Sequence, residues 1–485
     1  MLALSWNLPL LEYRSFRQTQ TALSSYWMAT TANWLAYPTP MFGYPWSIPF
    51  EFPLFQAIVL GVANVLPISL DQSGRLVAWL FAFLTLFPLR ACVREITGRD
   101  ALANNFMLFF LLSPLYLFGA RCFLIESTAL FFSVLFIATL ARYWRNPSPG
   151  LFALMLLAAC LAGLVKITTF FGFGVMAFLF IAWKFFSERD GRTIGRFGNR
   201  YLPVAIAVLT AILVTALYIH YADLRKQETV LGAALTSSSM STWNYGTWQQ
   251  KTSSHLWLDI ALGRASRELL GSVLVIPIAL FLLACFGRGL RGFAACLAVG
   301  YALPFLVFAN LHEVHGYYQQ ANGIFLLGVV ACAVEAVRTR FNDRAALAVT
   351  IVLAIVMLLG FQRDFLRYIV SPHINQRTVA LADFARQQTR PDDVLLIFND
   401  EVSPEVAYYA TRRAMIVNDQ TSVAAIRRMR EQPSSYLGPY ALGMVIVCPN
   451  RIAEHADLAA EYRLLFDAAS SGRERFSIAG CEVYK

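Results

Sequence analysis

The sequence predicts a mainly α-helical bundle that crosses a membrane many times and carries a small C-terminal α/β domain. Of 485 residues, 57% are hydrophobic and 14% charged, and the mean hydropathy is +0.53. So much apolar surface cannot be hidden in one water-soluble core, because a folded globule keeps a large exterior. Ten long apolar stretches, separated by short arginine-bearing connections, indicate that lipid covers it. From about residue 374 the composition becomes ordinary and charged, which predicts a separate soluble unit.

A helix needs about 20 mostly apolar residues to cross a bilayer, and ten stretches approach that length. Residues 50–66 are ambiguous, because Pro49, Pro53 and Pro67 bracket a run that is marginal for a crossing. We expect a half-buried or interfacial helix there, with a true span as the alternative. The opening MLALSWNLPL is too short to span, so either a further N-terminal helix is missing from this reading frame or ten suffice. The predicted spans are residues 73–94, 103–119, 127–143, 150–165, 168–186, 201–219, 269–287, 293–311, 318–337 and 345–361.

Five arginine-rich and lysine-rich connections alternate with four that are not, as a regular up-and-down weave requires. Short cytoplasmic loops carry the excess of basic residues in membrane proteins. We therefore expect the opposite face, which is the periplasm in a bacterial inner membrane, to hold the hydrophilic segments 11–22 and 312–322, the loop 220–268 and the tail after 362. The basic residues are Arg90, Arg94 and Arg99; Arg142 and Arg145; Lys184, Arg189, Arg192, Arg196 and Arg200; Arg288 and Arg291; and Arg338, Arg340 and Arg344.

The net charge of +10 is explained by these connections, so it does not indicate a nucleic-acid partner. The eight cysteines show no CxxC spacing and read mostly as small buried hydrophobic residues. Cys448 and Cys481, in the tail, could form a disulfide. The tail alternates β-rich runs and helical patterns, which predicts a small α/β domain, and it has no glycine-rich phosphate loop. The predicted strands are 394–398, 444–448 and 481–484, and the predicted helices are 374–389, 403–411 and 421–431.

Two glutamates, Glu12 and Glu51, lie among apolar segments, where a charged side chain needs an explanation. Placing a charged side chain in a membrane costs roughly 2.5–3.5 kcal/mol, so such residues are paired, reach the surface or act in function. Glu12 precedes Arg17 and Gln18 and has two interpretations. It caps a helix and pairs with nearby arginines, or it is a general base that deprotonates an acceptor attacking a sugar carbon. Glu51 is either a second acid or a cap for the helix that follows.

Three cationic positions lie on the same predicted outward side. Arg121 and Glu126 flank a turn between two spans, where a salt bridge closing the turn is one interpretation and a further candidate acid at Glu126 is another. Arg75 starts a span, Lys166 stands between two spans, and both are long enough to reach the membrane surface. Together the three cations predict a ring of partly desolvated positive charge, which is the environment that a lipid-linked phosphate requires.

The motif HEVHGYY places His312 and His315 at a spacing that could bring both rings to one helical turn. Glu313 is the only further candidate ligand nearby in the sequence, so the motif permits a divalent metal but does not predict one. We favour imidazoles and Tyr318 that face a phosphate or a sugar. Aromatic residues of loop 220–268 either stack on sugar C–H groups or anchor the loop at the membrane interface. They are Trp243, Tyr245 and Trp248.

The acidic residue of the first outward loop, followed by FRQTQTA, resembles the type C glycosyltransferases. These multispanning enzymes use polyprenyl-phosphate sugars and include protein mannosyltransferases and lipid A aminoarabinose transferases. The segment SPEVAYYATRR, residues 403–413, resembles the outward soluble domain of some bacterial members. The resemblance spans nearly the whole chain. Its other points are Pro53 and the helix after it, Gly74 and Arg75, the Arg121/Glu126 turn, Lys166 and HEVHGYY.

The resemblance implies an inverting transfer of a hexosyl or pentosyl group, without a required cofactor, from a lipid-linked donor to an envelope glycan, lipid or protein. Glu12 takes the catalytic position. The implied domains are a transmembrane glycosyltransferase domain at 1–365, with catalytic outward loops at 11–70, 220–268 and 312–318, and a periplasmic α/β domain at 374–485. A lipid-linked glycan transporter or flippase and a non-catalytic scaffold are the alternatives. The implied phosphate-binding residues are Arg17, Gln18, Arg75, Arg121, Lys166, His315 and Tyr318.

Overall fold

The structure is a computed structural model that describes residues 2–187, 197–399, 401–449 and 456–485. Its residues group into two compact units. The helical unit comprises Met1–Trp6, Arg75–Tyr218 and Ser241–Ser371, and the mixed unit comprises Asn7–Gly74, Ile219–Met240 and Pro372–Lys485. The predicted domains 1–365 and 374–485 divide the chain differently, because residues 7–74 and 219–240 group with the C-terminal residues. The functional division into those two domains stays a prediction.

Every predicted span of the helical unit coincides with one or two helices. Six helices are long and apolar enough to cross a membrane, or seven if the pair His255–Leu270 and Val275–Phe286, bent by 91°, is one span. This count treats Pro149–Phe186 as one span, and other predicted spans fall on shorter apolar helices such as Asp100–Leu112 and Arg291–Val307. The longer helices are Leu70–Thr97, Glu126–Arg145, Pro149–Ser187, Leu202–Gln227, Gln319–Arg340 and Asp343–Asp364.

The helix Pro149–Ser187 reverses direction at Lys166, whose backbone is extended (φ −163°, ψ 96°). The Phe152 ring lies 6.4 Å from Tyr143, and the Phe180 ring lies 5.5 Å from the neighbouring Trp144. An unbroken helix would separate Phe152 from Phe180 by about 42 Å. The segment is therefore a hairpin, and it agrees with the prediction of two spans that meet near Lys166.

The basic connections collect at one end of this bundle. Glu95 pairs with Arg145 (2.7 Å) and Arg142 (3.7 Å), while Glu335 pairs with Arg99 (3.0 Å) and Arg338 (2.7 Å). The remaining two connections reach the same end: Arg200 lies over the Trp144 ring, and Arg291 lines a cavity with Arg99. The predicted basic residues Arg189, Arg192 and Arg196 lie outside the described residues.

Short elements complete the helical unit. Thr247 and Gln250 form a reciprocal capping box that starts the helix Trp248–Thr252. The π-helix His255–Arg264 follows it, and Arg264 donates to the main-chain oxygens of His312 and Glu313. The other short elements are Leu2–Ser5, Pro114–Gly119, Phe197–Tyr201, Ser241–Tyr245, Ala265–Leu270, Ala309–Val314, Gly316–Tyr318 and Arg367–Val370.

A five-stranded sheet forms the core of the mixed unit, and its strands are β1 Val394–Phe398, β2 Arg413–Val417, β3 Leu442–Val447, β4 Arg475–Ile478 and β5 Cys481–Tyr484. Their order in the sheet is β2-β1-β3-β5-β4. Strands β1 to β3 are parallel, and β5 runs antiparallel to β3 and β4. The predicted strands and helices of the tail are confirmed within a few residues, while β2, β4 and the helix Ala456–Ser470 were not predicted. The helices are Gln376–Gln388, Glu405–Ala410, Val423–Glu431, Ser434–Leu437 and Ala456–Ser470.

The N-terminal segment of the mixed unit packs on the outer edge of β2. Phe42 forms an antiparallel bridge with Met415, and the Ala414 N–H donates to the Pro40 oxygen at 3.0 Å. These bonds cover an edge that would otherwise be open to pairing. The helix Leu54–Val65 has 12 residues, about 18 Å, and is too short to cross a bilayer, which agrees with the predicted interfacial helix. The segment also contains Ser15–Met28 and Trp34–Ala36, and Gly232–Leu235 lies in residues 219–240.

A disulfide joins Cys448 to Cys481, which confirms the predicted possibility. Both cysteines are buried, and the bond ties the residue after β3 to the first residue of β5. The other six cysteines are free thiols, of which Cys92, Cys122 and Cys332 are buried. The disulfide therefore closes the sheet where its direction changes from parallel to antiparallel.

Candidate active site

An ion pair between Lys166 and Glu126 lies inside the helical unit, with 2.5 Å between Lys166 Nζ and Glu126 Oε1. The side chains are only 7% and 3% exposed. Glu126 is the first residue of the helix Glu126–Arg145, where the helix dipole favours a carboxylate. Lys166 is placed opposite it by the turn of the hairpin. Two residues forty positions apart therefore meet at the end of the bundle that lies about 30 Å from Arg145.

Aromatic rings form one wall around the Lys166 ammonium. Lys166 Nζ lies 4.1 Å from the Tyr318 ring centroid and 5.3 Å from that of Tyr317. The His315 ring stacks on Tyr317 at 5.1 Å, and Trp243 meets His315 edge-on at 5.9 Å. Ring faces attract a cation, so the aromatic wall adds to the attraction that the Glu126 carboxylate exerts on the ammonium. The predicted residues Lys166, His315, Tyr318 and Trp243 thus form one cluster.

Two arginines of the helical unit have side chains with 0% exposure, Arg75 and Arg121. Arg75 Nη1 donates to the Arg121 main-chain oxygen at 3.4 Å, and the Arg121 guanidinium lies 4.1 Å from the Phe118 ring centroid. Guanidinium groups stay protonated in proteins, so burial here places positive charge in a poorly solvated region. Such a region favours an anion with several acceptor oxygens, and a phosphate is one.

The two histidines of HEVHGYY do not share a helical turn, because the helix Ala309–Val314 ends before His315. His312 is buried against the Phe305 ring at 4.4 Å, whereas His315 joins the tyrosines. Burial, with help from Arg264 and Lys166, lowers the pKa of His312 to about 3, so its imidazole is neutral. The Nδ1 atom of His312 has no hydrogen-bond partner among the described residues. Within those residues, no group of three or more His, Cys, Asp and Glu side chains is arranged to hold a metal ion.

Glu12 is buried in the mixed unit, in the loop that precedes the helix Ser15–Met28. The residue at the N-cap of that helix is Arg14, in the left-handed conformation (φ 71°), and its side chain makes no capping hydrogen bond. Glu12 lies two residues before the N-cap, so it is not the N-cap residue. Gln18, which is also buried, donates from Nε2 to the Tyr13 main-chain oxygen at 3.2 Å. This bond holds the loop directly after Glu12.

Glu51 forms an ion pair with Arg17, and Arg17 also donates to Gln20. The Tyr37 hydroxyl fixes the backbone here: it accepts from the Phe50 N–H at 2.9 Å and donates to the Glu51 main-chain oxygen at 3.0 Å. The following helix begins at Leu54 with Pro53 at its N-cap, so Glu51 is not its N-cap residue. The structure thus brings the predicted Arg17 and Glu51 together.

Two predicted aromatic residues stand apart from the cluster around Lys166. Tyr245 stacks on Phe308 at 5.7 Å, and Trp248 is 75% exposed. Sequence reasoning missed Asp71, whose carboxylate accepts from the hydroxyls of Tyr408 and Tyr409. Adjacent tyrosines in SPEVAYYATRR were the available signal, since buried phenols need a partner. The acceptor, more than three hundred residues away, could not be found from sequence.

The fold is that of the type C (GT-C) membrane glycosyltransferases. The chain superposes on ArnT from Cupriavidus metallidurans bound to undecaprenyl phosphate with a TM-score of 0.63, at 13% identity over 96% of this chain and 93% of that one. It also matches the Archaeoglobus fulgidus oligosaccharyltransferase, at TM-score 0.55 and 10% identity over 100% of this chain and 73% of that one. Mycobacterial arabinofuranosyltransferase AftD matches at TM-score 0.54 and 13% identity, over 100% and 39%. No protein-family model and no curated protein matches the sequence.

Proposed function

We propose that this protein transfers a sugar from a polyprenyl-phosphate donor to an acceptor at the outward face of a bacterial inner membrane. The observation that carries the proposal is the buried positive charge of Arg75, Arg121 and Lys166 in a helical unit with the GT-C fold. Charged side chains are expensive to bury, so three buried cations at one end of a bundle favour a site that binds an anion. A donor phosphate attached to a lipid supplies that anion from within the membrane.

Lys166 and its aromatic wall fit the donor headgroup best. The ammonium can turn from Glu126 toward a phosphate oxygen, because a lysine side chain is flexible and carries three donors. Tyr318 and His315 offer a hydroxyl and an imidazole to the same headgroup, and Trp243 offers a face to sugar C–H groups. We assign Arg75, Arg121, Lys166, His315 and Tyr318 to the donor, and a donor role for Arg17 and Gln18 stays a prediction.

Glu12 is our candidate for the general base. Its carboxylate would take the proton from the acceptor hydroxyl or amine as the acceptor bonds to the anomeric carbon. The bond between that carbon and the phosphate oxygen breaks, and polyprenyl phosphate leaves with the electron pair. Cations that neutralise the phosphate make protonation of the leaving group unnecessary. Displacement in one step from the opposite face inverts the anomeric configuration. The acceptor class, whether envelope glycan, lipid or protein, stays open.

The Cys448–Cys481 disulfide supports an outward position for the C-terminal residues, because such bonds persist in oxidising compartments such as the periplasm. A membrane-impermeant maleimide added to cells should label neither cysteine before reduction and both after it. Labelling of both without a reductant would contradict the disulfide, and labelling that requires the membrane to be dissolved even after reduction would contradict this orientation. The free Cys285, which is exposed, provides an internal reference that needs no reduction once the membrane is dissolved.

The deciding experiment supplies membranes containing the full chain with a panel of undecaprenyl-phosphate hexoses and pentoses and envelope acceptors. Wild-type protein should transfer at least one sugar, and Glu12→Gln should reduce transfer about 100-fold or more, because the amide cannot accept the proton. Glu12→Asp is the matched control, since it keeps a carboxylate and changes only its reach. Equal transfer by wild type and Glu12→Gln would remove Glu12 from the role.

The same preparation separates the two alternatives. A flippase would move the lipid-linked sugar across the bilayer without producing a glycosylated acceptor, and a scaffold would do neither. Mass spectrometry of the acceptor together with an assay of donor orientation distinguishes the three outcomes. Either alternative outcome would overturn the proposed transfer.

A further inference from the structure

We infer that Asp71 and Tyr409 are positioning residues that hold the Glu12 loop, an inference that rests on the catalytic role proposed for Glu12. The Tyr409 hydroxyl accepts from the Leu10 main-chain N–H at 2.5 Å and donates to Asp71 Oδ2 at 3.0 Å. One phenol therefore joins the N-terminal loop to the first turn of the helix Leu70–Thr97. The three groups lie in the mixed unit.

The direction of these bonds makes the link specific. Asp71 is a carboxylate and can only accept, so the single Tyr409 proton points to it and a Tyr409 lone pair remains for the Leu10 N–H. Each bond polarises the next in such a chain. Leu10 is fully buried, so its N–H cannot turn to water if the phenol is lost. Removing one oxygen atom from Tyr409 thus leaves a buried donor without its acceptor.

Glu12 lies between two fixed points of this loop. Two residues before it, Leu10 is tied to Tyr409, and one residue after it, the Tyr13 oxygen is tied to Gln18. Two residues extend at most about 7 Å, so the Glu12 backbone follows any movement of Leu10 closely. A second tie supports the same arrangement, since Gln72 Nε2 donates to Asn7 Oδ1 at 3.0 Å. General-base catalysis depends on this placement, because a displacement of 1 Å costs about 100-fold in rate.

Tyr408 provides a natural control. Its hydroxyl also donates to Asp71, and the neighbouring ring packs edge-on against Tyr409 at 4.9 Å. The Leu10 N–H bonds to Tyr409. Tyr408→Phe and Tyr409→Phe therefore each remove one hydroxyl from the same carboxylate, and Tyr409→Phe also removes the acceptor that Leu10 uses. Any difference in kcat between the two variants therefore reports on the Glu12 loop.

The test measures transfer kinetics of the full chain in membranes with the undecaprenyl-phosphate sugar found active above. We expect Tyr409→Phe to lower kcat between about 10- and 100-fold, with the donor KM within twofold of wild type, while Tyr408→Phe stays within about threefold of wild type in kcat. Adding Tyr409→Phe to Asp71→Ala should cost less than the product of the separate losses, as for residues of one network. Equal loss of kcat in both phenylalanine variants, or a rise in donor KM with kcat unchanged, would overturn the positioning role.

Hydrogen exchange gives a readout that does not require activity. The Leu10 amide should exchange at least tenfold faster in Tyr409→Phe than in wild type, and at the wild-type rate in Tyr408→Phe. Unchanged exchange at Leu10 would overturn the link whatever the kinetics show. If exchange responds as expected but Glu12→Gln transfers normally, the link stands and the catalytic role of Glu12 has failed, so the two failures are distinguishable.

Discussion

Arginine and lysine occupy both ends of the helical unit, but their surroundings are opposite. At one end, Arg145 pairs with Glu95 while its side chain remains 61% exposed. At the other end, Arg75 and Arg121 are completely buried, and Lys166 pairs with Glu126 away from solvent. Exposed pairs are worth about 0–1 kcal/mol, whereas breaking a buried pair costs about 3–5 kcal/mol. The charges at the two ends therefore differ in what they contribute to stability, and a ligand role for the buried end is part of the proposed function.

The largest expected effect is at the buried end. Lys166→Ala should lower the free energy of unfolding by about 3–5 kcal/mol, because it leaves the Glu126 carboxylate buried without its ammonium. The same variant should bind undecaprenyl phosphate at least tenfold more weakly. Thermal unfolding and lipid titration in the same detergent measure both quantities. A loss below about 1 kcal/mol would place this pair in the same class as the exposed pairs.

Acid should weaken the buried end selectively through His312. Its pKa is lowered to about 3 in the folded protein from an ordinary value near 6.5, so the unfolded chain binds the proton first. The stability from neutral His312 is complete above about pH 6.5 and is lost as the pH falls toward 3, by up to about 1.4 kcal/mol per pH unit. Unfolding midpoints from pH 7 to 4 should fall more steeply in wild type than in His312→Asn. Parallel curves would contradict the burial of a neutral imidazole.

Removing both members of the buried pair should separate stability from binding. The double variant Lys166→Met with Glu126→Gln should unfold within about 1 kcal/mol of wild type, because no uncompensated charge remains. Binding of undecaprenyl phosphate should stay as weak as in Lys166→Ala. If binding recovers together with stability, Lys166 acts only on the fold.

The smallest effect is expected at the exposed end. Arg145→Ala should change the free energy of unfolding by less than about 0.5 kcal/mol, because its pair with Glu95 is screened by water and salt. Sugar transfer should be unchanged. Raising the salt concentration to about 1 M, where the Debye length is about 3 Å, should abolish even this difference. A loss of unfolding free energy comparable to that of Lys166→Ala would contradict the distinction between the two ends.

Local patterns predicted the helices and much of the tail, since hydrophobic runs and strand-forming residues act over short distances. The bounds Gln319–Arg340 and Val394–Phe398 lie close to those predicted. Other predictions from local spacing were wrong, because contacts with residues that are close in space decided the structure there. Glu12 and Glu51 were candidates for helix caps, yet Arg14 and Pro53 occupy those positions. His312 and His315 have the spacing of one turn, but their helix ends between them.

The sequence by itself determined that this chain is a helical membrane protein with an α/β tail, because lipid demands long apolar helices and a sheet demands β-forming runs. It also separated basic connections from the others, since charge bias is a local property. Only the tertiary structure decided that Lys166 meets Glu126 and that Tyr409 meets Asp71 and Leu10. Such pairs depend on how helices and strands that are distant in sequence pack together. A buried polar group then needs a hydrogen-bond or ion-pair partner, and only the groups that packing places nearby can provide one.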